Sequence, residues 1–116
     1  MDPLPRYRFD RLVSEVFDEA LEAMPSGLHA VLDNVAVRVE DRHPEEPDLL
    51  GLYEGVPHTE RTGAEGPDVV TLYRLALCEM CEDEDDLGEE LYVTIVHELA
   101  HAAGIDDDAL DDLGWG

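Results

Sequence analysis

The chain of 116 residues contains no lysine. Its 7 basic residues are all arginine and stand against 30 acidic ones, for a formal net charge of -23. A surface so poor in positive charge repels phosphate backbones and anionic lipids, which excludes nucleic acid and membrane as partners. It attracts cations, whether metal ions or basic peptides, and its plainest cause is solubility in salty or hot surroundings. Long apolar runs are missing too. The opening MDPLPRYRFD lacks the core of a signal peptide, and no stretch is long enough to span a bilayer. The expectation is a cytoplasmic protein. Cysteine is scarce: Cys78 and Cys81 are the only two. One such pair is half of a zinc ribbon, and no second pair exists, so both read as small buried hydrophobes. The acidic run Glu82 to Asp86 lacks the glycine and spacing of an EF-hand loop and reads as a solvated helix start. There is no internal repeat and no linker. The expectation is one domain over residues 1–116, with a single modest core that any active site must share.

What is present follows clear periods. Val13, Val16, Phe17, Ala20, Leu21 and Met24 have helical spacing, with Pro25 as the stop. Leu28 to Leu32 reads as one further turn. Val35, Val37 and Val39 alternate with Ala36, Arg38 and Glu40, the pattern of a strand with one buried face. Leu49–Gly55 reads as a second strand, Val56–Pro67 as a loop rich in Gly and Pro, and Asp68–Arg74 as a third strand. The second and third strands are expected to be antiparallel neighbours. From Leu91 onward apolar residues lie nearly all round a helix, which predicts the most buried helix of the protein. Gly104 is placed to end it, and the acidic DDDALDDLGWG to form a short closing turn or helix.

That helix carries HELAHAAGIDD, His97 to Asp107. At about 100° per residue, His97 and His101 lie roughly 40° apart and one turn apart, so both imidazoles can face one ion. Glu98, to the side of that line, can reach a water at the ion. This is the mechanical content of His-Glu-x-x-His: two zinc ligands and a general base. A catalytic zinc keeps three protein ligands. No glutamate follows His101, which removes the arrangement in which a downstream helix supplies one. Glu90, roughly 10 Å before His97 by helical rise, is too distant. Gly104 lets the chain reverse and Asp107 return beneath the ion, with Asp106, Asp108 and Asp111 as close competitors. The extended pattern is His-Glu-x-x-His-x-x-Gly-x-x-Asp. The metzincin template has histidine in the last place. A carboxylate there lowers the charge of the metal centre and leaves its water less acidic than three histidines would. The plain alternative is a core helix with two satisfied histidines and a solvated acidic tail.

VTIVHELAHAAGIDDDALDDLGW resembles the signature of a family of small bacterial zincin-like metallopeptidases, the minimal zincins. The likeness extends over nearly the whole chain, through Val39-Glu40-Asp41, LLGLYEG, the LYR of the third strand and the closing Leu-Gly-Trp. The resemblance implies an α+β zincin domain: a small, about three-stranded mixed sheet packed against an N-terminal helix and a buried active-site helix, behind an exposed edge strand. It supplies no substrate. No methionine follows the motif, so the methionine turn of a full metzincin is missing; Leu113 and Trp115 are the apolar residues available there, with Trp115 either under the site or simply closing the core. Tyr53, Tyr73, Tyr92 and His58 can stabilise an oxyanion only if the fold delivers them to the metal. His29, His43 and His58 otherwise have no assigned role.

The reading is a zinc-dependent peptidase, with His97, His101 and Asp107 as ligands and Glu98 as general base. A peptide or protein substrate is expected to add as a strand along Val69, Val70, Thr71, Leu72 and Tyr73. The rival is a non-catalytic metal-binding domain whose acidic surface holds a basic protein partner. The retained Glu98 favours the enzyme, because a purely structural site has no use for a base beside its ligands. The oligomeric state stays open.

Overall fold

The structure, a computed structural model, describes residues 1–29, 33–55 and 68–102. Helix α1 (Arg6–Ala23) begins after Pro5, whose carbonyl accepts the amides of Arg8 and Phe9 at 3.0 Å each. Phe9, Val13, Val16 and Ala20, spaced by three or four, are buried along one stripe, while Phe17 and Leu21 pack more loosely on the same core. The helix ends as Met24 turns extended, because the residue before a proline is pushed out of the α region. A single 3-10 turn, Ser26–Leu28, follows; most of the further turn read at Leu28 to Leu32 lies outside the described residues.

Strand β1 (Val35–Glu40) alternates as its sequence does, with Val35, Val37 and Val39 half-buried and the residues between them exposed. Strands β2 (Gly51–Glu54) and β3 (Asp68–Tyr73) complete a mixed sheet of order β1-β3-β2. β1 runs parallel to β3, pairing Val35 with Asp68 and Glu40 with Tyr73. β2 runs antiparallel to β3, pairing Gly51 with Leu72 and Glu54 with Val69, as the sequence suggested. This order corrects one expectation. Val69, Val70, Thr71, Leu72 and Tyr73 form the central strand, paired on both sides, and offer no open edge to a peptide. Burial agrees: Val70 and Leu72 on one face, and Thr71 and Tyr73 on the other, are all buried.

Tyr73 leads directly into helix α2 (Arg74–Met80), which the sequence reading did not foresee. Arg74 fixes this junction by donating to the carbonyl of Leu4 at 2.7 Å and bridging to Asp41 at 3.1 Å. Cys78 and Cys81 are free thiols buried in the core cluster, as expected of small hydrophobes. Burial, followed by the nearby Asp86 and Glu90, pushes the Cys81 thiol up from 9.0 to about 11.

Helix α3 (Glu84–Ala102) begins within the acidic run Glu82 to Asp86 that the sequence reads as a helix start, ahead of the apolar stretch from Leu91. Asp83 supplies the cap, its carboxylate accepting the amide of Asp86 at 2.8 Å, and the Asp86 carboxylate reaches back to the amide of Glu82 at 2.9 Å. This resembles a capping box, and Glu84, Asp85 and Asp86 favour the positive end of the helix dipole. Leu87, Leu91, Ile95 and Leu99, each four residues apart, are fully buried. Burying such a side chain stabilises by ~2 kcal/mol. The helix packs on α1 along one side and on β2, β3 and α2 along others, as its nearly all-round apolar pattern requires. No described helix is long and apolar enough to cross a membrane.

Candidate metal centre

Thr94, His97, Glu98 and His101 occupy positions i, i+3, i+4 and i+7 of α3 and therefore share one face. That face adjoins the Leu87–Leu99 stripe and meets β2 at Gly51. The close approach of strand to helix depends on Gly51. A Cβ built there would lie 2.9 Å from Thr94 Cγ2, 3.5 Å from the Thr71 carbonyl and 3.6 Å from Glu98 Cγ. Gly51 thus brings the outer strand of the sheet against the helix at the level of the motif. An isolated glycine within a strand pattern is the sequence signal for such an approach, and it went unread. Thr94 likewise passed unnoticed, although its place three residues before His97 puts it on the motif's face.

The two imidazole rings stand 4.5 Å apart between centroids at 70° to each other. His101 Nδ1 lies 3.7 Å from Glu98 Oε2. One donor atom from each of His97, Glu98 and His101 falls within 4.8 Å of the others, close enough for a metal ion to be shared after small side-chain rotations. Among the described residues this is the one group of three with that property. Two imidazoles and a carboxylate are borderline-soft and hard donors, which suits zinc. The Glu98 side chain is 12% exposed and that of His101 35%, so the carboxylate lies deeper than the ring. A carboxylate at that depth is costly unless its charge is used or compensated.

His97 and Glu98 line a groove of about 340 Å³ together with Val93, Thr94 and the segment Asp48 to Gly51. The segment entering β2 is therefore one wall and the motif helix the other. Three candidates for oxyanion stabilisation are placed elsewhere. The Tyr53 hydroxyl donates to Asp68 at 2.9 Å. Tyr73 is buried with its ring edge-on to His43 at 5.7 Å, and burial, with Glu54 and Glu40, holds its pKa above the ordinary 10.0. Tyr92 lines a different groove. Two of the three histidines without a role have local ones: His43 Nδ1 accepts the amides of Glu45 and Glu46, and His29 Nε2 lies 3.1 Å from the Met24 carbonyl. His58, Gly104, Asp106, Asp107, Asp108, Asp111, Leu113 and Trp115, and with Asp107 the third ligand that the sequence leads one to expect, lie outside the described residues.

The family described as zincin-like metallopeptidase matches residues 32–115, which includes the whole motif and the sheet. Among curated proteins none matches the chain. A solved structure described as a conserved hypothetical protein from Thermus thermophilus is 22% identical, covers 90% of this chain and 95% of its own, and superposes with a TM-score of 0.49.

Proposed function

Since the chain belongs to the zincin-like metallopeptidase family, we propose that it hydrolyses peptide bonds with a zinc ion and with Glu98 as general base. The observation that carries this reading is the convergence of His97, Glu98 and His101 donor atoms beside an open groove under the sheet's outer strand. His97, His101 and Asp107 would hold the ion. When bound, zinc supplies Lewis acidity, polarising a carbonyl and making a water more acidic. Glu98 takes a proton from the attacking water and then delivers it to the leaving amine nitrogen. Its low exposure keeps bulk water from competing for that proton. Thr94, packed behind Gly51, holds the groove wall at a fixed distance from the carboxylate.

The substrate strand belongs on β2. The amide of Tyr73 donates to the carbonyl of Leu50, so in the antiparallel alternation Gly51 turns its backbone groups away from β3. An extended peptide adding there would run along the groove past His97 and Glu98, with main-chain bonds supplying affinity. The test is zinc content by elemental analysis together with a degenerate peptide library read by mass spectrometry. Near-stoichiometric zinc with chelator-sensitive cleavage is expected. Zinc-loaded protein that leaves the library intact overturns the reading.

A further inference from the structure

A second groove, about 580 Å³, runs between α1 and α3. Its floor is Leu12, Val16, Gly88, Tyr92 and Val93, and its rim is Glu15, Glu19, Glu84, Asp85 and Glu89. No basic residue lines it. Arg8 reaches Glu84 from outside at 2.5 Å, while Arg6, Arg38, Arg42 and Arg74 are engaged with carboxylates elsewhere. Arg11 lies one turn before Glu15 on α1, and among the described residues no ion pair joins Glu19, Asp85 or Glu89 to a basic residue, so carboxylates outnumber basic groups around the apolar floor. Val93, 56% exposed, lines this groove and the one at His97 alike, so the two are neighbours on the surface of α3.

Gly88 is a second, independent pointer to an occupant. It sits inside α3, where glycine is the poorest helix former after proline. A Cβ built there meets no protein atom within 4 Å, so the fold's own packing does not demand glycine. What glycine does at that position is keep the groove floor open for close approach from outside. Residues 103–116 contain aspartates and no basic residue and so offer the rim no counter-charge, nor does a second copy at net charge -23.

We infer that this groove is a docking site for a Lys/Arg-rich segment with interspersed apolar residues, belonging to the same protein that the zinc centre cleaves. The inference rests on the peptidase reading for its source but not for its chemistry. The apolar side chains fill the floor over Gly88 and Tyr92, and the basic ones meet the rim. Because the two grooves meet at Val93, a chain held in one can reach past that side chain to the groove beside Glu98.

Two measurements decide it. First, a twelve-residue Leu/Lys peptide and its Leu/Glu counterpart are titrated onto the full chain by calorimetry. The Lys peptide is expected to bind, more weakly with rising salt, and the Glu peptide not. Each exposed ion pair is weak, so Glu15→Gln, Glu19→Gln, Asp85→Asn and Glu89→Gln together are expected to weaken binding roughly tenfold. Gly88→Leu, whose Cβ meets no protein atom within 4 Å and whose side chain would fill the groove floor, is expected to abolish binding while the thermal midpoint holds or rises. His97→Ala is expected to leave binding unchanged. Second, a cleaved library peptide is extended with the Leu/Lys segment; KM is expected to fall roughly tenfold at constant kcat, and the quadruple variant to remove that gain. Absent or charge-indifferent binding overturns the docking site. Cleavage without preference for the basic extension overturns the inference alone. Binding at the groove by a chain that cleaves nothing overturns the assignment to substrate together with the peptidase reading.

Discussion

Gly51→Ala tests how β2 is held against the motif helix. The alanine Cβ would lie 2.9 Å from Thr94 Cγ2, closer than real Cβ contacts come, while Thr71 O at 3.5 Å and Glu98 Cγ at 3.6 Å are ordinary neighbours. Thr94 is buried, so moving its methyl aside disturbs the packing around it. Forcing one methyl into such packing costs ~1–3 kcal/mol. Gly51 shows no left-handed φ, so alanine is compatible with its backbone and gains about 0.4–1 kcal/mol by stiffening the unfolded chain. The clash outweighs the gain, and a net loss of ~1 kcal/mol or somewhat more is expected. Thr94→Ser removes the methyl that causes the clash and by itself costs about 1 kcal/mol as a small cavity. In that background Gly51→Ala refills the space and is expected to be neutral or stabilising. Urea denaturation of the four proteins, at unchanged m, measures the cycle, with a coupling of ~1–2 kcal/mol expected. Equal effects of Gly51→Ala in both backgrounds, or stabilisation in the parent, would refute the contact.

The metal centre and core make further predictions. His97→Ala or His101→Ala is expected to abolish stoichiometric zinc, by elemental analysis, because each removes one ligand from a rigid helical frame; full retention in either rules out the site. Competition with a chelator is expected to rank Asp107→Ala as far more damaging to zinc affinity than Asp106→Ala or Asp108→Ala, and a reversed ranking would move the third ligand. Cys81 is protonated more firmly in the folded than in the unfolded chain, since burial raises its pKa to about 11. The folded state then binds more protons between pH 9 and 11, so stability falls as pH rises through that window. Denaturation midpoints of the parent and Cys81→Ala across this range check it: the variant is expected to lose less, and parallel curves contradict the assignment.

The grouping of His97, Glu98 and His101 was the most legible, because helical spacing alone puts the two histidines on one face. The buried helix was legible as well from its all-round apolar run, and its start from the acidic run Glu82 to Asp86; the structure adds the bonds that hold that start, from the Asp86 amide to Asp83 and from the Glu82 amide to Asp86. Helix α2 was missed because seven residues directly after a strand give too little period to read. The sheet order was the costlier error. Pairing of β1 with β3 is non-local, and local pattern says little about it. Yet the signal existed: Asp68–Tyr73 has apolar or aromatic residues on both faces, as a central strand does, whereas Gly51–Glu54 is short and ends on an exposed glutamate, as an edge strand does.

Glu98→Gln is the most direct test of the central claim. The amide is nearly isosteric with the carboxylate but cannot take a proton from water at neutral pH. The variant and the parent are brought to equal zinc content, verified by elemental analysis, and their rates on the same peptide library are compared by mass spectrometry. The account predicts bound zinc and cleavage reduced at least a hundredfold, the scale of a lost general base. Cleavage at the parent rate with zinc in place would contradict it.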